Sequence, residues 1–264
     1  MKRLMLLAPL GALLFATLPA ATQSPFDGTW KIDMNKVTFP QKPDVFLLQN
    51  GMYSCKTCTP AYTVKADGTD QPVSGHPYFD SVAIKVVNDH EVQETDKKGG
   101  KTVATSDTVI SADGKTATYT FTDSSNTNGG AAVKGKGSST LVAKGPAGSH
   151  AASGSWRENK MESLSDNAIV WTYKVAGNQV TMTNPTGQTY TATFNGVDAA
   201  MKGDPGISSV SVKKMGNTLE ESDKRDGKVI GVFKVTVAAD GKTAKASYTD
   251  TRQNRTTQFD AVKQ

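Results

Sequence analysis

The sequence predicts an all-β protein built as two tandem antiparallel meander β-barrels, and three observations predict it. Runs such as Asp80 to Val87, Lys101 to Ser111 and Lys115 to Thr122 are rich in Val, Thr, Ile and Tyr and show no helical period. Between such runs lie Asp113-Gly114, Asn195-Gly196, Asp226-Gly227 and Asp240-Gly241, which supply the positive φ of tight hairpins and so join neighbouring strands antiparallel. The chain also repeats itself: Gly75 to Asp123 aligns with Gly203 to Asp250 with one gap. Roughly eight to ten candidate strands per unit suit closure into a small barrel, which removes the sheet edges. A pair of β-sandwiches is the alternative that the same strands allow.

At 264 residues, 37% hydrophobic and 21% charged, the chain is long enough for two small domains with real cores. It opens with the three-part pattern of a secretory signal peptide over residues 1–21: Lys2-Arg3, the apolar run Leu4 to Leu18, then Ala20-Ala21. A periplasmic or secreted protein is expected. Pro9 and Gly11 interrupt the run, which is shorter than the roughly 20 residues that cross a bilayer, so no membrane span is expected in the mature chain. Aromatic residues, 7% of the chain, are too few for the girdles of an outer-membrane barrel. Lys2 and Arg3 carry two of the five net positive charges, and the remaining lysine pairs sit beside Asp96, Asp223 and Asp226. A sustained basic surface is missing, which argues against a nucleic-acid partner.

The first unit, residues 22–144, starts from Gly28-Thr29-Trp30, and the second, 154–264, from Gly154-Ser155-Trp156. The match between units runs through Tyr62 and Tyr190, Ser81 to Lys85 and Ser209 to Lys213, and Ala112 to Ala117 and Ala239 to Ala244. Residues 145–153 are small and aperiodic and read as a linker. Each unit is expected to own its core, so residues 154–264 alone are expected to unfold cooperatively. Cys55 and Cys58, the only cysteines, are spaced C-x-x-C between strand-like flanks in an exported chain. A local disulfide is expected, worth on the order of 1–2 kcal/mol because its loop is so short. No helix follows to lower a thiol pKa, and no second pair completes four zinc ligands.

A G-x-W at the first strand of each unit, followed by a meander of hairpins, resembles the calycin superfamily of lipocalin-like and fatty-acid-binding-protein-like barrels. The whole chain also resembles exported bacterial proteins with lipocalin-like domains. The resemblance implies that Trp30 and Trp156 close one end of each barrel, packed against an arginine from a late strand. Arg252 or Arg255 is the candidate in the second unit, whereas the corresponding region of the first departs from the family and has only Lys134, Lys136 or Lys144.

Catalytic motifs are not visible. His76, His90 and His150 are not spaced as metal ligands, serines lack a G-x-S-x-G elbow, and Asp67-Gly68-Thr69-Asp70 offers too few ligands for calcium. His76 precedes a proline and reads as a turn residue. The neighbouring carboxylates Glu91 and Glu94, or Glu220, Glu221 and Asp223, lie on Lys-rich strands and read as a solvated face. No catalytic residue, metal or cofactor is therefore expected. Alternation places Val229, Gly231, Phe233, Val235 and Val237 on one interior face of the second unit, with Thr102, Ala104, Ser106, Thr108 and Ile110 as their counterparts. Thr102, Ser106, Thr108, Tyr119, Phe121, Val229, Phe233, Val235 and Tyr248 are the expected lumen residues. Hydroxyls at three of five positions predict a wetter first-unit interior. The functional expectation is a non-catalytic binding protein for a small apolar or amphipathic ligand, the alternative a structural or interaction module of the cell envelope.

Overall fold

The computed structural model describes residues 24–264; the expected signal peptide, 1–21, lies outside them. The described chain is all β, with β1 at Gly28–Ile32. Then follow β2 (Asp44–Gln49), β3 (Met52–Cys55), β4 (Tyr62–Lys65), β5 (Gln71–Pro72), β6 (Ser81–Asn88), β7 (Glu91–Lys98), β8 (Lys101–Ile110), β9 (Thr116–Asp123), β10 (Val133–Lys144) and β11 (Gly154–Leu164). The remainder are β12 (Val170–Ala176), β13 (Gln179–Thr183), β14 (Thr189–Thr193), β15 (Asn195–Ala200), β16 (Ser209–Met215), β17 (Thr218–Arg225), β18 (Lys228–Val237), β19 (Thr243–Asp250) and β20 (Arg255–Lys263).

These strands form two ten-stranded antiparallel sheets, each curled into a nearly closed barrel. In the first sheet the order is β4-β3-β2-β11-β10-β9-β8-β7-β6-β5, and the Asp67–Lys85 bridge draws its edges together. In the second it is β14-β13-β12-β1-β20-β19-β18-β17-β16-β15, with Thr189–Lys202 bridging likewise. Barrels this nearly closed leave few free strand groups to recruit another chain. Among the described residues, no helix is long and apolar enough to cross a membrane.

The repeat boundary in the sequence and the boundary between the sheets do not coincide. The first barrel is one continuous stretch, β2 to β11, inserted between β1 and β12 of the second. Its G-x-W strand is β11, paired with β10 and, at Trp156–Asp44, with β2. The strand at Gly28 crosses over instead and lies between β12 and β20, where Trp30 faces Trp171 and Lys263. Residues 145–153 do not link domains. They form the β10–β11 hairpin loop, tied to the first barrel by the His150 amide on the Leu48 carbonyl (2.9 Å) and by Ser153 on both backbone groups of Leu48. The crossings between barrels are residues 33–43 and 165–169.

Local sequence explains most turns. Asp226-Gly227 holds φ of 51° and 75°, the positive pair of a two-residue hairpin. Asn195-Gly196, expected to be such a turn, is instead a bulge inside β15: Asn195 pairs with Lys213 but Asp198 with Ser211. Cys55 and Cys58 stand at disulfide distance, 2.01 Å between sulfurs.

The second barrel holds one continuous core, in which Phe26, Trp30, Tyr173, Val210, Val235 and Ala261 are among the buried side chains. Packing in the first barrel divides into two smaller clusters, one around Leu48, Val82 and Ile84, the other around Ile110, Ala117 and Trp156. Between the barrels, Arg255 donates to Asp44 (2.6 Å), Gln253 to the Thr57 carbonyl (2.6 Å), and Tyr78 and Asn126 both to Asp204 (2.9 Å each).

Candidate functional site

Side chains two apart on a strand share a face, so Val92, Glu94 and Asp96 of β7 point together, as do Leu219, Glu221 and Asp223 of β17. Both faces turn inward. Glu94 sits across from Ile84 and Ser106, and Asp96 across from Val82 and Ala104. Glu221 and Asp223 are 7% and 4% exposed, between Val212 and Phe233 and between Val210 and Gly231. The expectation of a solvated carboxylate face therefore fails for Glu94, Glu221 and Asp223. It fails because Val92 and Leu219 fix which side of each strand is buried, and the carboxylates fall in step with them. Glu220, one residue out of phase, faces outward and pairs with Lys234 at 2.9 Å.

Each barrel caps its inward glutamate with the matching tyrosine: Tyr62 donates to Glu94 (3.1 Å) and Tyr190 to Glu221 (2.5 Å). Burial raises the pKa of both glutamates above the usual carboxylate range. In the second barrel the Tyr248 hydroxyl lies toward Asp223, and Gly231 makes room for it, since a Cβ there would lie 2.3 Å from that hydroxyl. Phe121 stands in the place of Tyr248 in the first barrel and has no hydroxyl to offer; Asp96 Oδ1, like Asp223 Oδ1, is buried without a hydrogen-bond partner among the described residues. Burial, with the charges of Glu94 and Asp123, pushes Asp96 up to about 8.

A cavity of about 280 Å³ opens between the two core clusters of the first barrel. Its walls include Phe46, Tyr53, Tyr62, Tyr119 and Trp156, and three carboxyls reach it, Asp44, Glu94 and Glu158. Tyr119 donates to Glu158 Oε1 (2.6 Å) and Ser139 to Oε2 (3.2 Å). Ser106 and Thr108 complete a polar wall. The second barrel keeps the glutamate, as Glu221 at the wall of its own space, but differs at five of these places. By register, Ser106 and Thr108 become Phe233 and Val235, Tyr119 becomes Ala246, and the Ser139–Glu158 pair becomes Ala261–Ile32. The space left there, about 410 Å³, is walled mainly by Trp171, Tyr173, Phe233 and Phe259.

Ser106, Thr108 and Tyr119 line the first cavity, Phe121 a neighbouring space of about 200 Å³ beside Asp96, and Phe233 and Tyr248 the space in the second barrel. Val235 is 1% exposed in the core. Thr102 and Val229 leave the lumen for solvent, because β8 and β18 each bulge at the residue that follows them, Val103 and Ile230. Trp30 and Trp156 are both buried, and each indole N–H donates to the carbonyl four residues earlier, Phe26 (2.8 Å) and Ala152 (2.9 Å). The cation over Trp30 is neither Arg252, which pairs with Asp250, nor Arg255, which reaches Asp44; Lys263 of the last strand lies 4.9 Å from the ring. No cation covers Trp156 among the described residues: Lys136 pairs with Glu162, and Lys134 and Lys144 lie elsewhere on β10. His76 stacks on Phe79 at 4.6 Å, and no three His, Cys, Asp or Glu side chains of the described residues are placed to hold a metal.

The Asp96 shift has a consequence for stability. A group whose folded pKa is raised contributes most below its unfolded pKa, near 4, and loses that contribution as pH climbs toward 8. Asp96→Asn, which cannot ionise, is expected to stabilise the protein at pH 8 by on the order of 2 kcal/mol and to change little at pH 4. Urea unfolding at both values checks it. No gain at pH 8 would contradict a buried, protonated Asp96.

Neither a family model nor a curated protein sequence matches the chain.

Proposed function

We propose that this is an exported, non-catalytic binding protein of calycin-like architecture whose first barrel holds a small amphipathic molecule. The observation that carries the reading is the contrast between the two lumens. A duplication begins with two copies of one interior, and here one copy has put Phe233, Val235, Ala246 and Ile32 where the other keeps Ser106, Thr108, Tyr119 and Glu158 around an aromatic-walled cavity. A cavity of about 280 Å³ lies near the lower end of the range for ligand pockets, so the ligand is small. The tryptophan at the G-x-W strand of each barrel, and Lys263 over one of them, support the architecture. The pattern at residues 1–21 supports export. The second barrel, with its continuous core, serves mainly as structure.

The neutral fluorophore N-phenyl-1-naphthylamine tests the reading. Saturable fluorescence enhancement is expected, with one site per chain. Ser106→Phe, which gives the first barrel the residue of the second, is expected to abolish it. Equal enhancement in that variant, or none in the parent, would overturn the assignment.

A further inference from the structure

Resting on that reading, we propose that the first barrel selects an organic cation, an amine carried on a small apolar body, with its nitrogen held by Glu94 and Glu158 and its body against Tyr62 and Trp156. Among the described residues three carboxyls reach the cavity wall and no Lys, Arg or His does. One of the three, Asp44, already has its counter-ion in Arg255 from the other barrel, at 2.6 Å. Glu94 and Glu158 have none among the described residues. Their partners are hydroxyls, from Tyr62 for Glu94 and from Tyr119 and Ser139 for Glu158, and Glu94 Oε2 accepts from no donor among the described residues.

Hydroxyl donors orient a carboxylate and satisfy part of its hydrogen-bonding capacity, but they bring no charge. Two acidic groups left this way in a low-dielectric cavity are costly unless protonated, and burial does raise both pKa values. A ligand ammonium supplies the missing charge and restores the ionised, hydrogen-bonded form of each glutamate. The walls suit the same ligand, because the faces of aromatic rings carry negative potential and attract cations. An anionic amphiphile meets the opposite: two carboxyls and no compensating base. The second barrel marks the specificity as local to the first, since Ile32 occupies the place of Glu158 and Ala246 that of Tyr119.

Three probes that share one ring decide it: phenethylamine, 2-phenylethanol and phenylacetate, each competing with N-phenyl-1-naphthylamine at pH 7. Phenethylamine is expected to displace the fluorophore at a concentration at least tenfold below 2-phenylethanol, and phenylacetate not to displace it. In the double variant Glu94→Gln, Glu158→Gln, the amine advantage should vanish while 2-phenylethanol displaces as before. Fluorophore binding by that variant reports that the cavity is intact, and should it be lost, the single variants Glu94→Gln and Glu158→Gln must each reduce the amine advantage. Phenethylamine no better than 2-phenylethanol, or phenylacetate equal to either, would overturn cation selection and leave the binding reading standing. Failure of the fluorophore to bind the parent protein would overturn both.

Discussion

Residues 44–164 on their own are expected to unfold in one cooperative transition, and residues 154–264 are not. The first fragment contains every strand of its barrel, from β2 to the tryptophan strand β11, together with the hairpin loop that supplies the Ala152 carbonyl to Trp156. The second lacks β1, which lies between β12 and β20, and with it Phe26 and Trp30, 0% and 1% exposed. Losing either side chain costs about 3–5 kcal/mol, and losing the strand also strips the ladders of both neighbours. The fragment's own β11 is a poor substitute, since it would bring Glu158 where Ile32 packs and nothing where Phe26 was. Circular dichroism melts of both fragments measure this, and a peptide of residues 24–34 added in trans should restore the transition of the second. A cooperative melt of residues 154–264 at the full-length midpoint would contradict the observed strand order.

Trp30→Ala is expected to be among the most damaging single substitutions, at about 3–5 kcal/mol. Trp30 is 1% exposed, stacks on Trp171 at 6.4 Å between ring centres, gives its N–H to Phe26 and lies under Lys263. Truncation leaves a hole in a continuous core and an unpaired buried carbonyl at once. Trp156→Ala should cost less, because Trp156 already borders a cavity into which its neighbours can relax. Urea titration should show the Trp30→Ala loss confined to the transition of the second barrel. A loss under about 1 kcal/mol would mean that β1 does not hold that barrel together.

The alternating strands, the Asp-Gly hairpins and the duplication were legible because each is a local signal, written within a few residues. The sheet to which each G-x-W strand belongs was not. Gly28-Thr29-Trp30 and Gly154-Ser155-Trp156 carry the same local signal, and the choice between partners is made by packing far along the chain. The inward carboxylates were masked by the lysines around them and by pairing Glu94 with Glu91, which lies on the other face. A signal was available: Val92-x-Glu94-x-Asp96 and Leu219-x-Glu221-x-Asp223 recur at the same place in both repeats, in step with an apolar residue. Ser106 and Thr108 were readable as lumen residues, whereas Glu158 was not, because its role depends on Tyr119 and Ser139 arriving from other strands.

The insertion of the first barrel imposes an order of events on a chain made from its N-terminus. β1 is synthesised first among the strands, yet one of its two neighbours, β20, is synthesised last. Until Lys263 has emerged, an apolar strand bearing Trp30 waits without its full ladder. Meanwhile the first barrel has all its strands in hand, and its entry and exit strands, β2 and β11, are hydrogen-bonded side by side. Once formed, it therefore brings the two crossings at 33–43 and 165–169 together, and the long loop that β1 must close onto β12 shrinks to a short one. The inserted barrel in this way acts as a jig for its host, and slow or faulty assembly of the first domain would be felt as delayed closure of the second.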